Sequence, residues 1–149
     1  MGFSEAVRTC LFEKYVTFSG RASRSEYWYF FLFYFLVGVA LTMLFFLMGG
    51  MNAIETQDFS GIVMIPVVLG GLFALAMILP MTSAVVRRFH DRNLSGWWYL
   101  ASILAGMIPL VGFVASIAAF VITVLKGTPG QNKFGRDPLG ADTNADVFA

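Results

Sequence analysis

The chain has 149 residues, of which 58% are hydrophobic and 13% are charged, and its net charge is +1. A soluble domain has about 45–50% apolar and about 25% charged residues, so this composition excludes an ordinary soluble protein. The near-neutral charge predicts no nucleic-acid partner. Cys10 is the single cysteine, which excludes an intrachain disulfide and a multi-cysteine metal site.

Charged residues are missing from three long stretches of the chain, residues 27–54, 59–86 and 93–125. A charge-free apolar run of about 18 or more residues predicts a transmembrane helix, because about 20 residues cross the hydrocarbon core. The first run follows a mixed-charge segment and has no small-residue cleavage site, so we do not interpret it as a signal peptide. The sequence therefore predicts an all-α integral membrane protein, a small bundle of three to four transmembrane helices.

The N-terminal segment, residues 1–22, alternates apolar and charged residues at a spacing of three to four. This pattern predicts an amphipathic segment that either lies in the membrane interface or packs on the protein's own bundle. Ser23 and Glu26 then form a predicted capping box, in which the hydroxyl of Ser23 accepts from the amide of Glu26 and the carboxylate of Glu26 returns to the amide of Ser23. This box opens the transmembrane domain, residues 23–125, whose first span is 27–48.

The second span is predicted at residues 62–86. Pro66 falls in its first turn, where a missing amide costs little, whereas Pro80 is expected to kink the last third. A face of small residues would allow close approach of another helix. These residues are Gly70, Gly71 and Ala74.

The third apolar run starts at Trp97 and ends at Leu125. As a straight helix it would be roughly 43 Å long, whereas a bilayer core is about 30 Å thick. Two interpretations remain: one long span kinked at Pro109, or a hairpin of two short helices at 97–108 and 110–125. A polar tail, residues 126–149, follows, and its last part from residue 140 is predicted to be disordered.

Basic residues predict the orientation. All ten Lys and Arg residues lie in the N-terminal segment and first helix start, in residues 87–92, or in the tail, and the linker at 50–61 has none. Because short cytoplasmic segments are rich in Lys and Arg, the N-terminus and residues 87–92 are predicted to be cytoplasmic. A hairpin also places the tail there, whereas a single long span places it outside. We favour the hairpin.

Three polar motifs separate the apolar runs: FSGRASRSEYW at 18–28, RRFHDRNLSGWW at 87–98 and GTPGQNKFGRDP at 127–138. In this order they resemble the domain-of-unknown-function 805 family of small bacterial inner-membrane proteins, over about residues 11–139. The resemblance implies a multi-pass protein of the bacterial inner (cytoplasmic) membrane. It implies no activity, because the family has no established one.

The charged and polar residues of these motifs form a candidate polar cluster, in which arginines would pair with the three carboxylates. It comprises Arg21, Arg24, Glu26, Arg87, Arg88, His90, Asp91, Arg92, Ser95, Trp97, Asn132, Arg136 and Asp137. Adjacent His90 and Asp91 cannot by themselves set up a base and its orienting group, and they are too few for a metal site. Ser95 is interpreted as a helix N-cap. We therefore predict no catalytic residue, no cofactor and no metal.

The leading functional hypothesis is a non-enzymatic structural or interaction component of the inner membrane. Its cytoplasmic cluster would lock the helices together, or bind lipid headgroups, a phosphate-bearing ligand, a membrane-protein partner or a second copy. The alternative is a small oligomeric channel or transporter component, although the spans lack the ionisable residues that mark ion pathways. A membrane enzyme that acts on a lipid is the third hypothesis.

Overall fold

A computed structural model describes residues 1–140, so the predicted disordered tail lies outside the described residues except for Gly140. The described part is helical except for its connections. The elements are α1 (Phe3–Arg8), which continues as a π-helical turn (Thr9–Glu13), α2 (Arg24–Leu47), α3 (Gly50–Thr56), a 3-10 turn (Gly61–Val63), α4 (Met64–Asp91), α5 (Trp97–Ala105) and α6 (Pro109–Val124).

Helices α2 and α4 pack against each other and form the frame of the molecule. Both are long and apolar enough to cross a membrane. Only 6% of the most apolar stretch of α2 and 17% of that of α4 is buried in the protein, so their apolar surfaces face outward, as lipid contact requires. The chain is an all-α integral membrane protein, as predicted.

The third apolar run divides into two helices. α5 ends at Ala105, and α6 begins at Pro109, whose missing amide is harmless at a first helical position. The two helices pack tightly, because a Cβ added to Gly112 would lie 2.7 Å from the Cα of Gly106. With 9 and 16 residues they extend about 14 and 24 Å, each less than the bilayer core of about 30 Å. The two-helix interpretation is therefore the one observed.

The structure differs from the predicted elements at two places. The second span was predicted to end at residue 86, but α4 continues to Asp91 and includes the first five residues of the second motif. The helix continues because its last turn is buried and its charges are paired, so the side chains need not return to water. The linker after the first span contains the short helix α3, which the sequence pattern did not predict.

The N-terminal segment packs on the protein's own bundle. Ala6 and Cys10 are fully buried, whereas Phe12 is 80% exposed. Ser83 of α4 holds this segment in place, because its hydroxyl donates to the carbonyls of Lys14 (3.1 Å) and Thr17 (2.6 Å). Of the two alternatives for residues 1–22, the structure therefore shows the packed one.

Pro80 lies inside α4 without interrupting it. A proline has no amide, so the carbonyl four residues earlier, on Ala76, loses its usual helical partner. The hydroxyl of Tyr15 donates to that carbonyl. The N-terminal segment thus satisfies the backbone group that Pro80 leaves free.

Candidate functional site

Asp91, the last residue of α4, lies where the three polar motifs meet. Its carboxylate oxygen Oδ1 accepts from Nε of Arg21 at 2.9 Å and lies 2.8 Å from Nη2 of the same residue. Its other oxygen pairs with Nη1 of Arg88. The side chains of Arg21, Arg88 and Asp91 are 1%, 0% and 4% exposed, so two buried cations share one buried carboxylate. Charged groups persist in such a place only when they are paired and hydrogen-bonded.

The third motif is docked on this group by its backbone. Arg21 donates from Nη1 to the carbonyl of Gly130 (2.6 Å) and from Nη2 to that of Thr128 (2.5 Å). In return, the amide and hydroxyl of Thr128 donate to the backbone carbonyl of Asp91 at 2.8 and 3.1 Å. Gly127 contacts the carboxylate of Asp91 so closely that an added Cβ would overlap it. The loop after α6 is therefore part of the cluster.

Arg88 closes the C-terminus of α6. The last carbonyls of a helix have no intrahelical partner and carry partial negative charge. Nε of Arg88 donates to the carbonyl of Thr123 at 3.0 Å, and Nη2 donates to that of Leu125. The indole of Trp28 donates to the same Thr123 carbonyl at 3.2 Å. The end of α6 is thereby tied to α4 and α2.

A second buried ion pair joins Arg87 to Glu26. The hydroxyl of Ser23 accepts from the amide of Glu26 at 3.1 Å, as predicted. The carboxylate of Glu26 does not return to the amide of Ser23, so that half of the predicted capping box is wrong. A buried guanidinium is the stronger partner for a carboxylate, and it takes Glu26 instead.

Cys10 lies beside this pair, with Sγ 3.7 Å from Nη2 of Arg87 and 4.0 Å from Oε1 of Glu26. Burial raises the pKa of its thiol from 9.0 to about 11, against the opposing effect of Arg87. No sequence pattern indicates this contact, because the residues are far apart in the chain. Nε of Arg87 has no hydrogen-bond partner within the described residues.

His90 connects the first and third motifs. Its Nδ1 lies 3.1 Å from the carbonyl of Gly20, and since a carbonyl only accepts, Nδ1 carries the proton in this contact. Its ring stacks on Phe134, with centroids 3.9 Å apart and planes within 4°. Its backbone carbonyl accepts from the side-chain amide of Asn132 at 2.9 Å. His90 and Asn132 therefore belong to the packed cluster.

The other predicted cations do not pair with carboxylates in the described part of the chain. Arg24 and Arg136 are exposed. Nη1 of Arg92 donates to the carbonyl of Lys126 at 2.5 Å. Asp137 accepts from the backbone amides of Gly130 and Leu139, at 3.1 and 3.0 Å. The ion pairs predicted for these residues are replaced by contacts with backbone or solvent.

Two further predicted members, Ser95 and Trp97, lie at the edge of the cluster. The residue before α5 is Gly96, not Ser95, and the hydroxyl of Ser95 is 3.4 Å from the amide of Trp97. The predicted N-cap is thus displaced by one residue and makes only a long contact. Trp97 is 75% exposed. Among residues 1–140, no three His, Cys, Asp or Glu side chains come together as metal ligands.

A groove of about 650 Å³ opens beside the cluster, between the start of α2, the end of α6 and the loop that follows. Lys126, which is not among the predicted members of the cluster, lines this groove with Arg24. The lining of the groove is mixed, with serine hydroxyls on the polar side and aromatic and aliphatic side chains on the apolar side.

Comparison with known proteins identifies relatives along most of the chain. It is 34% identical to inner membrane protein YhaH of Escherichia coli K12 over 126 residues, covering 85% of this chain and 90% of the relative. It is 32% identical to inner membrane protein YhaI of the same organism over 126 residues, covering 85% and 89%. Uncharacterized protein YiiR, also from E. coli K12, is 29% identical over 150 residues, covering 87% and 91%. No solved structure matches the chain significantly.

The model of the family described as "Protein of unknown function (DUF805)" matches residues 15–136, which include all or most of each of the three polar motifs. Two of the relatives are named inner membrane proteins, in agreement with the apolar helices described above. The chain therefore belongs to the DUF805 family of proteins of unknown function.

Proposed function

We propose that the chain is a non-enzymatic structural or interaction component of the bacterial inner membrane. In this proposal the buried cluster around Asp91 is a lock that holds a fixed polar surface at the cytoplasmic face for lipids or a membrane partner. The observation that carries it is the sharing of one carboxylate by Arg21 and Arg88 while Thr128 binds the same residue's backbone. One residue thus joins all three family motifs.

The internal use of the cluster's polar groups supports a structural role. General acid–base catalysis needs a group that reaches a substrate's proton. Here the carboxylate of Asp91 faces two arginines, that of Glu26 faces Arg87, and Nδ1 of His90 faces a backbone carbonyl. These contacts stabilise the packing of helices and leave the exposed rim as the surface for binding.

The exposed residues around the buried cluster, here called the rim, support binding at a membrane surface. Basic side chains are exposed at this end of the molecule, and Trp97 and Trp98, at the start of α5, are 75% and 63% exposed. Tryptophan favours the headgroup level, and cations are attracted to anionic headgroups. The exposed basic residues at this end include Arg24, Lys126, Lys133 and Arg136.

Membrane orientation is the first test. Within the described residues, the N-terminal segment and the loop after α6 lie at the end of α2 and α4 that carries the polar cluster, whereas the segment with Glu55 and Asp58 joins the opposite ends of these two helices. A reporter active only in the cytoplasm should therefore work when fused after Ala149, and a reporter active only outside should work when inserted at Asp58. An external signal after Ala149 would separate the third motif from Asp91 and contradict the proposal.

Binding is the second test. Pull-downs from a gentle detergent should recover a stoichiometric membrane partner or a second copy with wild-type protein. Trp97→Ala should reduce this recovery without lowering the melting temperature, and Phe59→Ala, which changes an exposed aromatic residue in the linker before α4, serves as the matched control. Solute flux in liposomes that depends on the cluster would favour the channel hypothesis instead. Lipid turnover lost on His90→Ala would favour an enzyme.

A further inference from the structure

We infer that the groove between α2, α6 and the following loop is a binding site for the phosphate headgroup of an anionic phospholipid. This inference rests on the proposed function, because it names one ligand of the membrane-facing rim. It concerns a cavity next to the buried lock, not the lock itself.

The lining of the groove is amphipathic. Trp28, Tyr29, Val124 and Leu139 supply apolar surface, and the half-buried hydroxyl of Ser25 supplies a hydrogen-bonding group. A volume of about 650 Å³ is in the range of small-molecule sites. Trp28 and Tyr29 lie in the first turns of a membrane-spanning helix, where aromatic rings mark the headgroup level. A ligand with both a polar head and an acyl portion matches this lining.

The charges at the groove favour an anion. Arg24 and Lys126 come from two different elements, line the same groove, and are both exposed. Neither forms an ion pair within residues 1–140, so their charges are available to a ligand. Asp91 also lines the groove, but Arg21 and Arg88 outweigh its charge.

The remaining lining carboxylate is Asp137. Two backbone amides donate to it, from Gly130 and Leu139, so the loop itself partly satisfies its charge. A phosphate held by Arg24 and Lys126 would therefore meet two cations that form no ion pair within residues 1–140. The phosphate could come from a phospholipid or from a soluble molecule, and the apolar side of the groove favours the phospholipid.

Native mass spectrometry of the full chain in detergent tests the site, with short-chain phosphatidylglycerol as the probe and phosphatidylcholine as the neutral comparison. The variants are Arg24→Gln, Lys126→Gln and the double substitution. We expect the double variant to bind phosphatidylglycerol roughly 30-fold more weakly, which corresponds to about 2 kcal/mol for two cations near an anionic headgroup. Binding of phosphatidylcholine should not change.

Lys133→Gln and Arg136→Gln are matched controls, because both residues are exposed basic side chains at the same end but do not line the groove. If they weaken binding as much as the groove variants do, the attraction is diffuse and the site is wrong. Equal binding of both lipids would also overturn it. Displacement of phosphatidylglycerol by millimolar inorganic phosphate would assign the groove to a soluble ligand.

The double variant should melt at the wild-type temperature, since both changed residues are exposed. Failure of this inference can be distinguished from failure of the proposed lock. The lock is tested by the stability of Asp91 variants and by the orientation of the C-terminus, and neither readout depends on Arg24 or Lys126.

Discussion

Replacing Asp91 by alanine removes the one carboxylate that Arg21 and Arg88 share. Breaking a buried ion pair by removing one partner costs about 3–5 kcal/mol, because a charge is left buried without compensation. Here two arginines lose their partner, but each keeps backbone acceptors: Arg21 keeps those of Thr128 and Gly130, and Arg88 keeps those at the end of α6. We therefore expect a loss near the lower end of this range, about 3 kcal/mol.

Thermal unfolding of the purified protein in one detergent measures this loss. At about 2–4 °C per kcal/mol for a chain of this size, Asp91→Ala should melt roughly 6–12 °C below wild type. Asp91→Asn should lose less, because it keeps the shape and one hydrogen-bond acceptor. Glu55→Gln changes an exposed carboxylate in α3, far from the cluster, and should leave the melting temperature within about 1 °C.

The expected loss would be refuted if Asp91→Ala had the same melting temperature as Glu55→Gln and accumulated in the membrane to the wild-type level. Water or detergent would then be compensating the arginines, and the cluster would not be a lock. Adding Arg21→Met to Asp91→Ala should recover part of the loss, because it removes one of the two uncompensated charges.

Three further predictions concern the contacts around this cluster. Gly127→Ala should lower the unfolding free energy by about 1–3 kcal/mol, because the added methyl overlaps the carboxylate of Asp91, whereas Gly38→Ala, which meets open space, should not destabilise the protein. Tyr15→Phe should cost about 1 kcal/mol in melting experiments, and this cost should vanish in a Pro80→Ala background, where the helix regains the missing amide. Cys10 should resist maleimide at pH 7 in the folded protein and react after denaturation, because its thiol is buried and its pKa is raised to about 11.

The raised pKa of Cys10 also sets the sign of a pH effect. The folded value lies above the ordinary 9.0, so the folded state favours the neutral thiol. The stabilisation from this group is complete below about pH 9 and is lost as the pH rises through 11. Cys10→Ser should shift the alkaline end of the stability profile. An unchanged profile above pH 9 would contradict the assigned burial.

The membrane class was predictable because its signal is local. A long run without charged residues predicts a membrane-crossing helix even when none of its tertiary contacts is known. Within the third run, Pro109 likewise marks the break between α5 and α6. The meeting of the three motifs was also predictable, because a hairpin of two helices brings the third motif back to the end of the bundle where the second motif lies. Boundaries were less accurate where paired charges became buried, as in the last turn of α4, because burial depends on partners distant in sequence.

The choice of partners within the cluster was not predictable. Glu26 had a local partner in the amide of Ser23 and a distant one in Arg87, 61 residues later, and local pattern analysis finds only the first. Arg24 and Arg21 lie three positions apart and look equivalent in sequence, yet one is exposed and the other is buried against Asp91. Their roles differ because Arg21, just before α2, reaches Asp91 and the loop after α6.

The long sequence separation between Arg21 and its backbone acceptors has a consequence for the order in which the new chain folds. Its backbone acceptors, Thr128 and Gly130, follow it by 107 and 109 residues, so they leave the ribosome after nearly all of the apolar helices. The cluster therefore closes last, when most of the chain has already entered the bilayer. A chain truncated before Gly127 would keep its apolar helices but lack these acceptors. Such a product would remain open at its polar end, where cellular proteases can recognise an unfinished protein.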